Sequence, residues 1–208
     1  MTRTVLLATG NAKKLVELRR LVAAERVDLE VLGLADVDPY AEPVEDERTF
    51  EGNALIKARA ALAATGLPSL ADDSGLEVDL LNGLPGVRSA RWAGPQRDDE
   101  DNNRLLLAQL DDAPPADRTA RFVCAAAVVL PSGVEHVERA TVEGTLLTAL
   151  RGVHGFGYDP LFLPHGGDRT SAELTAEEKD AISHRGQAMR AILPVLVRLL
   201  DPADRGRS

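Results

Sequence analysis

Asp72-Asp73-Ser74-Gly75 sets two carboxylates side by side, and Thr9-Gly10-Asn11-Ala12-Lys13-Lys14 joins small polar residues to two lysines. Adjacent carboxylates repel. A hard divalent cation relieves the repulsion, and Mg2+ takes one or two protein carboxylates together with substrate phosphate oxygens. At a strand terminus, alternation puts the two carboxylates on opposite faces, so only one points into a given cleft. A turn with a solvated Asp pair is the competing reading. The 9–14 run stands where a strand gives way to a helix, and there backbone amides and the helix dipole attract an anion. Cations are unfavourable at that end, so Lys13 and Lys14 suggest a compensating phosphate, with solvated lysines as the plainer alternative. The chain holds four lysines (13, 14, 57 and 179) against twenty arginines. A compact ammonium suits a single phosphate oxygen, whereas a guanidinium suits bidentate contacts. Ser183-His184-Arg185-Gly186 again pairs an N-cap with cations. His184 there could read a base or orient a phosphate, or be a solvated surface side chain. Neither GxGxxG nor GxxxxGK[ST] occurs, which weakens both familiar nucleotide-loop readings.

Positioning these residues requires a strand at Thr4–Ala8 and a helix carrying Leu15, Leu18, Leu21 and Val22 at helical spacing. A second strand is predicted at Leu29–Leu34, then an acidic, Pro-punctuated loop from Asp36 to Glu47 that carries Glu45. Thr49 caps a predicted helix running to Thr65, with Leu55, Ala58 and Leu62 on its apolar face, Lys57 midway, and Gly66 and Pro68 as stop signals. Leu76, Val78 and Leu80 alternate with acids and predict a half-buried strand before the Asn82-Gly83 turn. Residues 83–94 read as an ordered loop and Asp98–Leu110 as a helix. Arg121–Leu130 and Val134–Leu147 read as a long antiparallel hairpin, which makes the sheet mixed and the fold class α/β or α+β. The Gly-dense stretch 152–164 is shaped by backbone need and holds Phe156, Tyr158 and Phe162. Thr175 and Glu178 fit a capping box. Ser183 caps a last helix with Met189, Ile192, Leu193, Leu196, Val197 and Leu200 on one stripe, kinked or split at Pro194.

Composition narrows the function classes. The 208 residues suit one domain over 1–200, with 201–208 expected to be a frayed tail. A net charge of -9 disfavours a nucleic acid duplex or a membrane face as the main partner. Seven aromatic rings are too few to stack a run of bases, although one or two can grip a single base. The single cysteine, Cys124, lies inside the apolar run Phe122–Leu130, so it reads as buried and inert, and it excludes an internal disulfide or a Cys-rich zinc site. That run is far below the ~20 residues of a membrane span. With no apolar signal core at its start, the chain is expected to be cytoplasmic.

TGNAKK at 9–14, the acidic loop with Glu45, TFEGNALIKA at 49–58, LADDSGLEVDLLNGLPGVRSARWAG at 70–94, GFGYDPLF at 155–162 and ELTAEEKDAISHRGQA at 173–188 together resemble the inosine triphosphate pyrophosphatase family. The resemblance covers nearly the whole chain, in order. It implies an α/β fold with two lobes around a central cleft, a homodimer, and hydrolysis of noncanonical purine nucleoside triphosphates to the monophosphate and pyrophosphate. It further implies that Thr9, Gly10, Asn11 and Lys14 hold the triphosphate, with Ala12 and Lys13 in the same loop and Lys57 nearby. Glu45 and Asp73 would serve Mg2+, with Asp73 as proton acceptor, and Ser74 would touch substrate. Phe156 would stack on the purine, Gly157, Tyr158 and Asp159 would complete its pocket, and Lys179, His184 and Arg185 would close the base and phosphate site. Relatives often have Gly where this chain has Lys13. The alternatives are a related pyrophosphatase for modified pyrimidine or standard nucleotides, and a nucleotide sensor without catalysis.

Overall fold

The computed structural model describes residues 3–201. Six strands hydrogen-bond in the order β2-β1-β3-β4-β5-β6. They are β1 (Arg3–Leu7), β2 (Leu29–Leu32), β3 (Ser69–Val78), β4 (Thr119–Val129), β5 (Glu135–Leu146) and β6 (Phe162–Pro164). β1 runs parallel to β2, with Val5 opposite Val31, and parallel to β3, with Leu6 opposite Ser69. β6 runs antiparallel to β5, so the sheet is mixed as predicted. The helices are α1 (Ala12–Ala24), α2 (Phe50–Thr65), α3 (Asp99–Gln109), α4 (Ala176–Ile182) and α5 (His184–Leu199).

The chain divides into two compact units. Among the described residues, the first comprises 3–73, 125–139 and 185–201, and the second 74–124 and 140–184. In the first, Leu6, Ala8, Ala58, Ala61, Ala71 and Val129 form one apolar cluster. Four of these six are alanines, so α2 packs through small side chains, which permits close approach. The buried face of α2 is Phe50, Asn53, Ala54, Ala58 and Ala61, whereas Leu55 and Leu62 are only half-buried. The expected face was therefore displaced toward smaller residues, with a buried asparagine among them. In the second unit, Leu76, Val78, Leu106, Leu110, Phe122, Tyr158, Leu161 and Phe162 build the core.

Local signals set most boundaries. The Thr49 hydroxyl accepts from the Gly52 amide at 3.1 Å, and α2 ends at Gly66 with φ +71°. Asp98 caps α3, and Thr175 and Glu178 form the capping box of α4. Three expectations are corrected. Asp72–Gly75 is neither a turn nor a strand terminus but the middle of the ten-residue β3, and Leu80 falls in a 3-10 turn, Asp79–Leu81. Phe162–Pro164 forms a short strand at the end of the Gly-dense stretch. Of the kink or split expected at Pro194, the split does not occur, and the last helix runs through it with Ile192, Leu193 and Leu196 buried around it. Of the expected tail, Asp201 pairs with Arg3 at 2.9 Å, and residues 202–208 lie outside the described residues. Cys124 is fully buried, and no helix among the described residues is long and apolar enough to cross a membrane.

Candidate active site

The first unit gathers its chemistry around β3. Successive strand residues face opposite ways, and Asp72 and Asp73 accordingly meet different partners. Asp72 accepts from Lys14 Nζ at 2.7 Å and from Arg185 Nε at 3.2 Å, and Arg185 Nη1 also reaches Glu17 at 3.0 Å. Asp73 accepts from Asn53 Nδ2 at 3.1 Å and lies 3.5 Å from Lys57 Nζ. Lys57 Nζ also donates to Glu45 Oε2 at 3.2 Å. Asn53 and Lys57 are four residues apart on α2, hence on the same helical face.

These environments push the two neighbouring acids apart. Burial favours the neutral form of Asp72, but Lys14, Arg185 and Lys57 outweigh it and hold its pKa far below the usual carboxylate range. Burial, reinforced by Glu45 and opposed by Lys57 and Asn53, raises the pKa of Asp73. Titratable neighbours separated in this way mark out different roles, and the raised one is the better proton acceptor. Burial also works against the Lys57 ammonium, but Asp73, Asp72 and Glu45 together keep its pKa above the ordinary value. Lys57 therefore remains charged between Asp73 and Glu45.

The 9–14 loop is tied internally. The Asn11 amide donates to the Thr9 hydroxyl at 3.2 Å, and Asn11 Oδ1 caps α1 by accepting from the Lys13 amide at 2.9 Å. Gly10, Ala12 and Lys13 are exposed. Lys14, unlike the solvated lysine of the plainer reading, turns onto Asp72. No group of three or more His, Cys, Asp or Glu side chains placed to hold a metal occurs among the described residues. Glu45 and Asp73 nevertheless offer two hard carboxylates meeting at Lys57, a donor set suited to Mg2+ with phosphate oxygens completing the shell.

The second unit holds the ring-bearing residues. Lys179 Nζ pairs with Asp159 Oδ2 at 2.6 Å and lies 4.8 Å from the Phe156 ring centroid, a cation-π distance. Asp159 Oδ2 also accepts from the Phe156 amide at 2.8 Å. Gly157 donates its amide to Asp99 and accepts at its carbonyl from Asn103, both on α3. Tyr158 is a core residue whose hydroxyl donates to the Ser89 carbonyl at 2.9 Å, so it anchors the loop from within. Burial and the nearby Asp99 push its phenol pKa up. His184 is not the solvated side chain of the plain reading: it is buried and stacks on Phe122 with centroids 4.8 Å apart. Asp159, Lys179, Ser183 and His184 line one pocket. Ser74 is half-buried.

The structure thus brings together Lys14, Arg185 and Asp72 in one group, Glu45, Lys57 and Asp73 in a second, and Phe156, Asp159 and Lys179 in a third. Sequence reasoning missed the supporting residues Glu17, Asn53, Asp99 and Asn103. For Asn53 and Asn103 a signal exists, since an asparagine on the packed face of a helix is costly unless it is hydrogen-bonded.

A mixed sheet whose central strand carries separately paired aspartates, with lysines on both sides, defines an α/β protein with a charged centre built on β3. The chain belongs to the Ham1 family, whose model matches residues 5–195. A protein of Cutibacterium acnes named dITP/XTP pyrophosphatase is 57% identical over 95% of this chain and 98% of its own length. One of Frankia alni with the same name is 58% identical over 94% and 98%. Among solved structures, a nucleoside-triphosphatase, dITP/XTP pyrophosphatase, from Mycobacterium abscessus is 52% identical with TM-score 0.76, covering 92% of this chain and 99% of that one. The Staphylococcus aureus Ham1 protein is 37% identical with TM-score 0.84, covering 93% and 98%. The relationship inferred from the six sequence segments is borne out.

Proposed function

We propose that this chain is a nucleoside triphosphate pyrophosphatase that hydrolyses noncanonical purine nucleotides, ITP, dITP and XTP, to the monophosphate and pyrophosphate. The observation that carries the reading is the split aspartate pair on β3: Asp73, with its raised pKa, lies beside Lys57 and Glu45, while Asp72 is spent on Lys14 and Arg185. The names of relatives above 50% identity support the substrate class.

Asp73 orients a water molecule and takes its proton as the oxygen attacks the α-phosphorus in line. The bond to the α–β bridging oxygen breaks, and that oxygen leaves with pyrophosphate. Lys14 and the amides of the 9–14 loop offset charge on the departing group, the electrostatic contribution that dominates such transfers. Lys57 keeps Glu45 and Asp73 together. Glu45 and Asp73 would hold Mg2+, which would supply Lewis-acid polarisation of the phosphate oxygens. In the second unit Phe156 offers a ring for the purine, with Asp159 and Lys179 fixing its loop. A 6-oxo group accepts from a donor such as His184, whereas the 6-amino group of adenine leaves a buried donor unpaired, which rejects ATP strongly. A homodimer in the cytoplasm completes this reading, and sedimentation tests the dimer.

The test is a panel of inosine, xanthosine, guanosine, adenosine and uridine triphosphates at equal Mg2+, with both products identified. Monophosphate and pyrophosphate from ITP or XTP are expected. A preference for UTP or ATP, or release of orthophosphate, refutes the proposal. Asp73→Asn should abolish turnover and leave nucleotide binding, measured calorimetrically, within a few-fold.

A further inference from the structure

The geometry points to Asn53 as a positioning residue for the hydrolysis, one that holds the proton acceptor and the acidic loop in register with each other. This rests on the pyrophosphatase reading above. Asn53 is fully buried on the packed face of α2, an expensive place for an amide unless both its ends are satisfied. Both are. Its Nδ2 donates to Asp73 Oδ2 at 3.1 Å, and its Oδ1 accepts from the Glu47 amide at 3.1 Å. Glu47 belongs to the irregular segment that carries Glu45. One side chain therefore spans from the carboxylate that receives the proton to the backbone two residues beyond the other proposed metal-binding carboxylate.

Two neighbours support the same junction. One turn along, Lys57 repeats the bridge with charge, between Asp73 and Glu45. One residue before, Gly52 lets the segment pass close to the helix: a Cβ there would stand 2.7 Å from Glu47 Cβ. The acidic loop has no strand or helix of its own between residues 37 and 49, so these ties to α2 set its course. Asp73 can use its two oxygens separately, because Asn53 holds Oδ2 and leaves Oδ1 toward Lys57. Asn53 touches neither water nor phosphate in this scheme. It acts through Asp73 and through the loop.

The experiment compares Asn53→Ala with Thr49→Ala, which weakens the same end of α2 through its cap without touching Asp73. For each, kcat and KM for ITP, Mn2+ binding to the nucleotide-free protein by electron paramagnetic resonance, and Tm are measured. Asn53→Ala should lower kcat by about 10- to 100-fold and weaken Mn2+ binding by about tenfold, the range for supporting partners of a metal site. KM should stay within about threefold, because the phosphate and base contacts are untouched. Thr49→Ala should lose Tm and keep kcat, KM and Mn2+ affinity near wild type. Asn53→Ser, a smaller perturbation, should follow Asn53→Ala and serves if the latter does not fold. The role is overturned if both Asn53 variants keep wild-type kcat and Mn2+ affinity, or if Thr49→Ala reproduces the same losses. Absence of ITP hydrolysis in the wild type would instead overturn the pyrophosphatase reading itself.

Discussion

Replacing Asp72 by Asn keeps the side chain's shape and deletes its charge, leaving Lys14 and Arg185 facing a neutral amide. The Asp72 side chain has no solvent exposure and sits 2.7 Å from Lys14 and 3.2 Å from Arg185. Removing one partner from a buried ion cluster costs about 3–5 kcal/mol, because the remaining charge stays desolvated without its counterion. Two features place the cost near the lower bound. Arg185 retains Glu17 at 3.0 Å, and the Lys14 side chain, 14% exposed, can turn toward water. A loss of about 3 kcal/mol, at about 2–4 °C per kcal/mol for a chain of this size, lowers Tm by about 6–12 °C. Scanning calorimetry of wild type and Asp72→Asn at pH 7 measures this directly. Adding Lys14→Met to Asp72→Asn should restore part of the loss, because it removes one of the stranded cations. A Tm within about 2 °C of wild type, or a further drop in the double variant, refutes the claim that Asp72 is held by these two cations.

Gly155 has φ +79°, and a Cβ there would collide with Asp159 Oδ2. Gly155→Ala should therefore displace Asp159 from Lys179 and from the Phe156 amide and raise KM for ITP by about tenfold, the worth of one charge-assisted hydrogen bond; an unchanged KM refutes it. The Glu178 carboxyl is pulled down to about 2 by the hydrogen bond from Arg169 and then by that from the Thr175 amide. Its support for α4 should be complete above the unfolded value of about 4.3 and be lost as pH falls through about 2. Carbon-13 NMR of the Glu178 carboxyl should show that low midpoint, and a midpoint at about 4 or higher contradicts the capping-box pairing.

Elements bounded by local chemistry were legible in the sequence. Thr49 and Gly66 mark both ends of α2, Asp98 opens α3, and the Thr175–Glu178 pair opens α4, since each signal acts within one helical turn. The failures share a cause in distance along the chain. Asp72-Asp73-Ser74-Gly75 is composed of turn formers, and a buried strand there is sustainable only because cations and an amide arrive from positions 14, 53, 57 and 185. At Pro194 local grounds allow a kink or a split, and burial of the stripe around it goes with an unsplit helix. The solvated alternative for His184 fails because its stacking partner, Phe122, is remote in sequence. The resemblance named candidate side chains, Asn53 and Asn103 carry the signal of an amide on a packed helix face, and Glu17 and Asp99 carry no signature separable from ordinary polar residues until their partners are seen.

Placing both acids within one extended segment makes that segment intolerant of length change. Inserting or deleting a single residue between Ser69 and Asp72 would invert every side chain downstream, so that the aspartate meant for Lys14 and Arg185 would confront Lys57 and Asn53 instead. Variation in chain length among functional descendants of this sequence should accordingly collect elsewhere, as in the hairpin tip at 131–133, and spare residues 69–75 altogether.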